Sequence, residues 1–266
     1  VGSEMCIRDS HGKMHGRLLY ESSVVVPWIV AGPDVAPNRI IGGLASHTDV
    51  MPTVLELAGL PAPKLLFDTP DFHNPTGITL SAPRRQRILE LAHEYDFMVI
   101  EDDPYRRVRF EGAALAPVKS LDTAGRVIGL GTASKILAPG LKIGWVNAAP
   151  QVMRRMAAIK ADGGSSPFTQ RIVAELMRGG RLAAITANVT KVMHRHRDVM
   201  VAAFARHFPE AGFVAPKGGY FLWVELPGDV DSDAFARHAE KFGISVFSGR
   251  LSYAESPRTN FLRLSY

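Results

Sequence analysis

Residues 129–145 read GLGTASKILAPGLKIGW. The apolar run Val127–Leu130 leads into it and predicts a buried strand, and Ile143–Val146 near its end predicts another. Between the two strands, a turn of small residues carries Lys135 directly after Ser134. The stretch therefore predicts a strand, a turn that bears a lysine, and a second strand.

Strand and helix patterns alternate on both sides of this stretch. Upstream, Leu65–Thr69 and Phe97–Ile100 predict two short buried strands, and Ser81 predicts the start of a helix between them, with Pro83 in its first turn. The elements predicted downstream are helices over Gln151–Ala161, Pro167–Met177 and Leu182–Phe208, a strand over Tyr220–Leu226, a helix over Ser232–Phe242, and strands over Ile244–Phe247 and Phe261–Leu264. This order predicts an α/β sheet core followed by a smaller α+β domain.

Polar motifs follow three of the predicted strands. HNPTG (73–77) follows the first, EDDPY (101–105) the second, and GTASK (131–135) the third. In α/β sheets, ligands bind beyond the carboxyl ends of the strands, so we expect these motifs to meet at one edge. Taken singly, each motif is weak evidence, because NPTG is also a common turn sequence. Together, an amide, an acid–tyrosine pair and a lysine suit a cofactor that needs a Schiff base, a partner for its ring nitrogen and donors to its phenolic oxygen.

In order and spacing, these motifs resemble the class I and II aminotransferases of pyridoxal-phosphate (PLP) fold type I. Two later stretches, GGYFLWVELP (218–227) and FLRLSY (261–266), extend the resemblance, which runs from about Leu65 to Tyr266. The likeness is greatest to the subgroup that contains 2-aminoadipate and other broad-specificity transaminases. The resemblance implies a partial PLP fold type I and the transfer of an amino group between an L-amino acid and a 2-oxo acid.

The resemblance also implies which residues hold the cofactor ring. Lys135 would form the Schiff base with PLP and shuttle the proton between substrate and cofactor. Asp102 would pair with the ring nitrogen and keep it protonated. Asn74 and Tyr105 would donate hydrogen bonds to the phenolic oxygen.

Further residues are implied for the cofactor phosphate and for the substrate. Thr132 or Ser134 would contact the phosphate through hydroxyl or main-chain groups, and Lys142 would add a positive charge. Lys142 departs from the family, which usually has an arginine there, and it keeps the charge without the two-pronged geometry of a guanidinium. Arg263 would bind the α-carboxylate of the substrate, for which a planar guanidinium is well suited. The turn at 218–220 would lie near the substrate, and Trp223 would belong to the core.

Composition restricts the remaining classes of function. The net charge is +5, but the basic residues are scattered without an aromatic–basic stripe, which argues against nucleic-acid binding. The apolar run Val24–Val30 is too short for a membrane span and contains Pro27. A single cysteine, Cys6, fits a reducing compartment, and we expect a cytoplasmic protein. His194 and His196 are two residues apart on a predicted helix, so they face different directions, and we expect no metal site.

The residues before position 64 do not share this resemblance and resemble two other kinds of sequence. VGSEMCIRDS (1–10) resembles a translated sequencing adapter. Residues 11–63, with YESSVVVP and SHTDVMPTVLELAGLP, resemble a short slice of the sulfatase family. The nucleophile and metal-binding aspartates of that family are not in this slice, so it would have no hydrolase activity. An adapter-like leader, a sulfatase-like fragment and half of a PLP enzyme together suggest a chimera.

The predicted organisation is therefore a leader (1–10), a sulfatase-like fragment (11–63), part of a large domain (64–160) and a small-domain region (161–266). The intact family is homodimeric, and its N-terminal half supplies part of the cofactor site, so we expect this chain to be inactive or impaired. The alternatives are a PLP-binding effector domain of a transcription regulator and a sulfatase-type hydrolase. The first would need a DNA-binding segment, which 11–63 does not resemble.

Overall fold

A computed structural model describes residues 64–160, 165–228, 230–253 and 257–266. The predictions for the leader and for the sulfatase-like fragment lie outside these residues. The boundary predicted at residues 160 and 161 adjoins residues that are not described, and it stays a prediction. Within the described ranges, no helix is both long enough and apolar enough to cross a membrane.

The first sheet contains four strands in the order of the chain: β1 (Leu65–Asp68), β2 (Met98–Asp103), β3 (Val127–Thr132) and β4 (Gly144–Asn147). β1, β2 and β3 are parallel, and β4 is antiparallel to β3. Helix α1 (Ala82–Glu94) connects β1 to β2, and the short α2 (Val118–Leu121) lies between β2 and β3. The carboxyl ends of the three parallel strands therefore lie at one edge, as the strand order predicted.

An apolar layer holds α1 against this sheet. Ile88 and Leu91 of α1 recur at helical spacing and pack on Val99 of β2 and Val127 of β3, all of them buried. Ser81 stands at the helix start, as predicted, but its side chain makes no capping hydrogen bond. Burial of the apolar face, at about 25 cal/mol per Å², therefore contributes more to this helix than its cap.

Three helices lead from the first sheet to the second: α3 (Pro150–Ile159), α4 (Pro167–Arg178) and the long α5 (Arg181–His207). The second sheet is antiparallel, with the order β5-β6-β8-β7. Its elements are β5 (Gly212–Phe213), β6 (Phe221–Glu225), β7 (Phe247–Ser248) and β8 (Phe261–Ser265), with α6 (Ser232–Glu240) between β6 and β7. The other elements of this tail were predicted, but β5 was not.

The second core forms where β6 and β8 alternate apolar residues toward α5 and α6. Leu222, Val224 and Leu262 are fully buried, and Phe204 of α5 and Phe235 of α6 pack against them. Of the strand predicted over Ile244–Phe247, only Phe247 lies in β7, which continues to Ser248. Strand pairing is limited to two residues of β7.

Candidate active site

The three polar motifs meet at the carboxyl ends of the parallel strands. Asp102 and Asp103 end β2 and pair in register with Leu130 and Gly131 of β3. Lys135 follows β3 by three residues, at the start of the connection to β4. The edge predicted from strand order therefore carries an acid pair and a lysine, and the HNPTG loop follows β1 at the same edge.

The turn that carries Lys135 is held by main-chain hydrogen bonds. The amides of Leu137 and Ala138 both donate to the carbonyl of Ala133, at 2.9 and 3.2 Å. Ala133 in turn donates to the carbonyl of Ile143 at 2.9 Å, which ties the turn to the residue before β4. Lys135 itself is half-buried, and its main-chain carbonyl accepts a hydrogen bond from the Tyr220 hydroxyl. The lysine thus stands on a closed turn.

Asp102 is a half-buried carboxylate without a partner among the described residues. No group there donates a hydrogen bond to it, and no cation pairs with it. Burial and, to a lesser extent, repulsion from Asp103 together raise its pKa to about 6. Asp103 differs, because Arg106 donates to its carboxylate at 2.7 Å, although burial still raises its pKa to about 6. Within the described residues, Asp102 therefore lacks a positive partner that would compensate its partial desolvation.

Asn74 and Arg263 are brought together from opposite ends of the described chain. A guanidinium nitrogen of Arg263 donates to the side-chain oxygen of Asn74 at 3.1 Å. The guanidinium also lies over the rings of Phe221 and Phe247, 4.9 and 4.1 Å from their centroids. A predicted cofactor residue and the predicted substrate residue are therefore neighbours, and aromatic rings flank the arginine.

Tyr105 lies inside this aromatic group. Only 6% of its surface is exposed, and its ring is 6.0 Å from that of Tyr220 and 5.8 Å, edge to face, from that of Phe221. Two aromatic neighbours fix the plane of the phenol, so that its hydroxyl has a defined direction.

The residues predicted for the phosphate divide into two groups. The Thr132 hydroxyl donates to the Ile143 carbonyl at 3.3 Å and accepts from the amide of Ser134 at 3.1 Å. Thr132 and Ser134 are half-buried beside the lysine turn. Lys142 is exposed at the end of a 3₁₀ turn over Pro139–Leu141, with a φ of 51°. The first two residues therefore lie next to Lys135, whereas Lys142 lies on the surface.

A buried ionic network supports the HNPTG loop, and sequence reasoning missed it. Asp71 accepts from Arg85 at 3.0 Å and from Arg109 at 2.7 Å. Arg85 is fully buried and also donates to three main-chain carbonyls. One signal was available, because Arg85 precedes Ile88 by three residues and so lies on the apolar stripe of α1. A charge on that stripe has to be paired.

Tyr220 and the rings of Phe221 and Phe247 were also absent from the predicted site residues. Gly218–Tyr220 was predicted only as a turn near the substrate, and that turn packs on the loop before Asn74. A methyl group on Gly218 would lie 2.3 Å from the Phe72 ring, so the approach requires glycine. Trp223 stacks on Phe261 at 5.1 Å, in the second sheet.

These features define a class of protein. Residues 62–266 match the family "Aminotransferase class I and II". The match covers well over half of the chain, and the chain belongs to this family.

Individual relatives agree with that assignment. The chain is 36% identical over 206 residues to aromatic-amino-acid aminotransferase 1 of Thermococcus litoralis, covering 76% of this chain and 49% of the relative. It is 35% identical over 205 residues to an uncharacterised HTH-type transcriptional regulator of Bacillus subtilis, YdfD, covering 76% of this chain and 42% of the regulator. The chain thus spans about half or less of the length of these relatives.

A solved structure shows the same fold. The kynurenine aminotransferase of Pyrococcus horikoshii, solved in complex with PMP, with KYN as substrate and KYA as product, superimposes with a TM-score of 0.76 at 38% identity. The match covers 80% of this chain and 54% of that protein. The α/β aminotransferase fold predicted for residues 64–266 is therefore confirmed.

Proposed function

We propose that this chain carries the lysine, the acid and the arginine of a PLP-dependent aminotransferase, which transfers an amino group between an L-amino acid and a 2-oxo acid. The observation that carries the proposal is Asp102, a half-buried carboxylate that lacks a cation among the described residues and ends the strand next to the one that leads to Lys135. Family membership and the PMP bound to the Pyrococcus horikoshii relative, which is the amino form of PLP, support it.

The residues present fit the cofactor ring. The carboxylate of Asp102 would accept the ring N–H and would gain the positive partner that burial demands. Asn74 uses its oxygen to accept from Arg263, which leaves its amide nitrogen as a donor to the phenolic oxygen. Tyr105 would be the second donor. When bound, PLP supplies an electron-withdrawing ring that stabilises negative charge on the α-carbon of the substrate.

Lys135 and Arg263 would act on the substrate. The side-chain nitrogen of Lys135 would attach the cofactor at rest and would hold or move the proton of the α-carbon when it is free. Arg263 would bind the α-carboxylate through its planar guanidinium, and Phe221 and Phe247 hold that plane and exclude water from it. A carboxylate fixed at Arg263 and an amine at Lys135 would orient the α-carbon between them.

The phosphate would lie beside the lysine turn. Thr132 and Ser134 are polar, half-buried and next to Lys135, so they are suited to hold an anion there. Lys142 is our proposed third contact. It is exposed, and its ammonium group would contribute charge without the paired hydrogen bonds of an arginine.

A second candidate function has a specific observation in its favour. The similarity to YdfD is about as strong as the similarity to the aminotransferase of Thermococcus litoralis. A PLP-binding domain of a transcription regulator would use the same lysine and acid, but its function would not require turnover. The two functions differ in whether the bound cofactor exchanges amino groups.

Several finer expectations remain proposals. They are membership of the 2-aminoadipate subgroup, a homodimer, a cytoplasmic location, reduced activity of this chain, and a chimeric origin with a sulfatase-like segment over 11–63. The family match begins at residue 62 and leaves almost all of that segment outside it.

Cofactor attachment tests the proposal directly. Purified full chain is mixed with PLP, its visible absorbance is recorded, and borohydride is added to trap the cofactor on the lysine that holds it, which peptide mass mapping identifies. Lys135→Ala is the test variant, and Lys191→Ala on the exposed surface of α5 is its control. We expect trapping at Lys135 in the parent and in Lys191→Ala, and none in Lys135→Ala.

Two outcomes would contradict the proposal: a folded parent chain without a band, or cofactor trapped equally on surface lysines. Where the band forms, an L-amino acid is added without a 2-oxo acid. An aminotransferase loses the band and regains it when a 2-oxo acid follows. A band that persists unchanged favours the regulator domain.

A further inference from the structure

Tyr220 and Phe221 are adjacent in the chain and reach three of the predicted site residues. The Tyr220 hydroxyl donates to the main-chain carbonyl of Lys135. The Phe221 ring lies 4.9 Å from the guanidinium of Arg263, and both aromatic rings adjoin Tyr105. The start of β6, in the second sheet, therefore contacts the lysine turn of the first sheet.

The main chain around Tyr220 is fixed independently of Lys135. The amide of Gly219 donates to the Val108 carbonyl at 2.8 Å, and the amide of Tyr266 donates to the Tyr220 carbonyl at 3.3 Å. Gly219 has a φ of 78°, and a methyl group on it would lie 2.7 Å from the side chain of Phe72. The phenol is therefore held on a rigid base.

The Tyr220 hydroxyl supplies the one hydrogen bond that the Lys135 carbonyl accepts among the described residues. Its internal hydrogen bonds, from Leu137 and Ala138 to Ala133, enclose Lys135 without engaging it. Among the described residues, no main-chain amide donates to the Lys135 carbonyl. Burial raises the pKa of the Tyr220 hydroxyl above its ordinary value, so the hydroxyl stays protonated and remains a donor.

We infer that Tyr220 is a positioning residue for Lys135: its hydroxyl anchors the main chain of the lysine turn and so fixes where the side-chain amine begins. The importance of that amine rests on the function proposed above, but the anchoring itself does not. Tyr220 touches no reacting atom in this scheme and acts only through Lys135.

Two variants isolate the contact. Tyr220→Phe keeps the ring and its packing on Tyr105 and removes only the donor. Tyr266→Phe is the matched control, because its hydroxyl also donates to a main-chain carbonyl, that of Gly218 at 2.9 Å, away from the lysine turn. Thermal unfolding of both variants shows whether each is folded.

The first measurement needs no cofactor. Amide hydrogen exchange of peptides covering 133–138 is compared between the parent chain and the two variants. Loss of one hydrogen bond to the turn should accelerate exchange at Leu137 and Ala138 roughly 2- to 10-fold in Tyr220→Phe. Tyr266→Phe should leave these amides at the parental rate. Equal exchange in Tyr220→Phe and in the parent overturns the inference.

The second measurement uses PLP. In Tyr220→Phe, borohydride trapping at Lys135 should be slower by a similar factor, and the pH midpoint of the visible band should shift, whereas Tyr266→Phe should match the parent. A parental midpoint and trapping rate in a folded Tyr220→Phe chain contradict the inference. Absence of trapping in the parent itself refutes the proposed function instead, and hydrogen exchange still decides the role of Tyr220.

Discussion

Asp102 and Asp103 are neighbours in the chain, yet strand alternation sends their side chains to opposite faces of β2. Asp103 lies on the same face as Glu101 and forms an ion pair with Arg106. Asp102 has no such partner in the described part of the chain, although burial raises the pKa of both carboxyls to about 6. A partly desolvated carboxylate without a cation opposes folding, so its presence at the end of β2 suits a ligand more than it suits stability.

Asp102→Asn should therefore stabilise the cofactor-free chain at neutral and alkaline pH. The pKa is about 6 in the fold and 3.8 as a reference, so folding favours the protonated form, and the penalty for the charged form is complete above about pH 6. The gain is at most about 3 kcal/mol near pH 8 and disappears by about pH 4. Urea unfolding at several pH values measures it.

The same substitution should weaken PLP binding, because an amide cannot neutralise a protonated ring nitrogen. Asp103→Asn is the control, since Arg106 already pairs with that carboxylate and strand alternation places the side chain on the opposite face of β2 from Asp102. An Asp102→Asn chain that is less stable than the parent at pH 8, or that binds PLP as well as the parent does, would contradict our interpretation of this residue.

At the scale of the elements, the sequence pattern predicted α1 and the parallel strands because apolar periodicity and burial coincide there. It ended β2 at Ile100, where the apolar run stops, but the strand continues to Asp103. Glu101 can stay in the strand because its carboxylate accepts the amides of Val118 and Lys119, at 2.8 and 2.7 Å, at the start of α2. These amides lie 17 and 18 residues further along the chain, so the sequence around β2 does not reveal them.

The site divides in the same way. The approach of Lys135 to the acid pair follows from the rule for parallel strand ends and could be predicted. The contacts of Arg263 with Asn74 and of Tyr220 with Lys135 join residues 189 and 85 positions apart. Such contacts depend on how the second sheet packs against the first, and the hydrophobic periodicity of the sequence does not predict this packing.

Packing between β3 and β4 gives a test at this scale. A methyl group on Gly131 would lie 2.3 Å from the indole of Trp145, whereas one on Gly129, on the same face of β3, would lie 3.3 Å from the flexible Lys119 side chain. Gly131→Ala should cost about 1–3 kcal/mol and shift the tryptophan emission. Gly129→Ala should cost less than about 1 kcal/mol and leave the emission unchanged. Equal losses in urea unfolding would refute this account of the strand pair.

In the whole molecule, the two sheets are tied together at the site itself. Asp71 lies in the loop after β1 and binds Arg85 of α1 and Arg109, and the main chain of Arg109 bridges to Gly218 before β6. The network therefore connects the helix layer of the first sheet to the entry of the second. A ligand bound between Lys135 and Arg263 would lie beside these ties.

Asp71→Asn should destabilise the whole chain. It leaves the fully buried Arg85 without its counter-charge, which costs about 3 kcal/mol or more. Glu90→Gln is the control, because its pair with Arg87 is about half exposed and worth less than about 1 kcal/mol. Thermal or urea unfolding compares the stability of the two variants. A similar loss of stability in both would show that the buried network contributes no more than an exposed ion pair.

The acids at the strand ends also determine how stability depends on pH. Burial raises the pKa of Asp68, Asp102 and Asp103 to about 6 each, so the fold binds protons more readily than the unfolded chain does. Their joint penalty grows as the pH rises from about 4 to about 7, and stability contributed by these groups should fall over that window.

Asp122 acts in the opposite sense at lower pH. Burial alone would raise the pKa of its carboxyl, but hydrogen bonds from Val127 and Lys119 outweigh burial and lower the pKa. Its contribution is therefore lost only as the pH falls below its ordinary range. For the cofactor-free chain, urea unfolding should give a maximum in stability at about pH 4, and a maximum at pH 8 would contradict it. With PLP bound, a cation beside Asp102 should remove the share of the stability loss above about pH 6 that Asp102 causes. In Asp102→Asn, this share of the loss should be absent both with and without PLP.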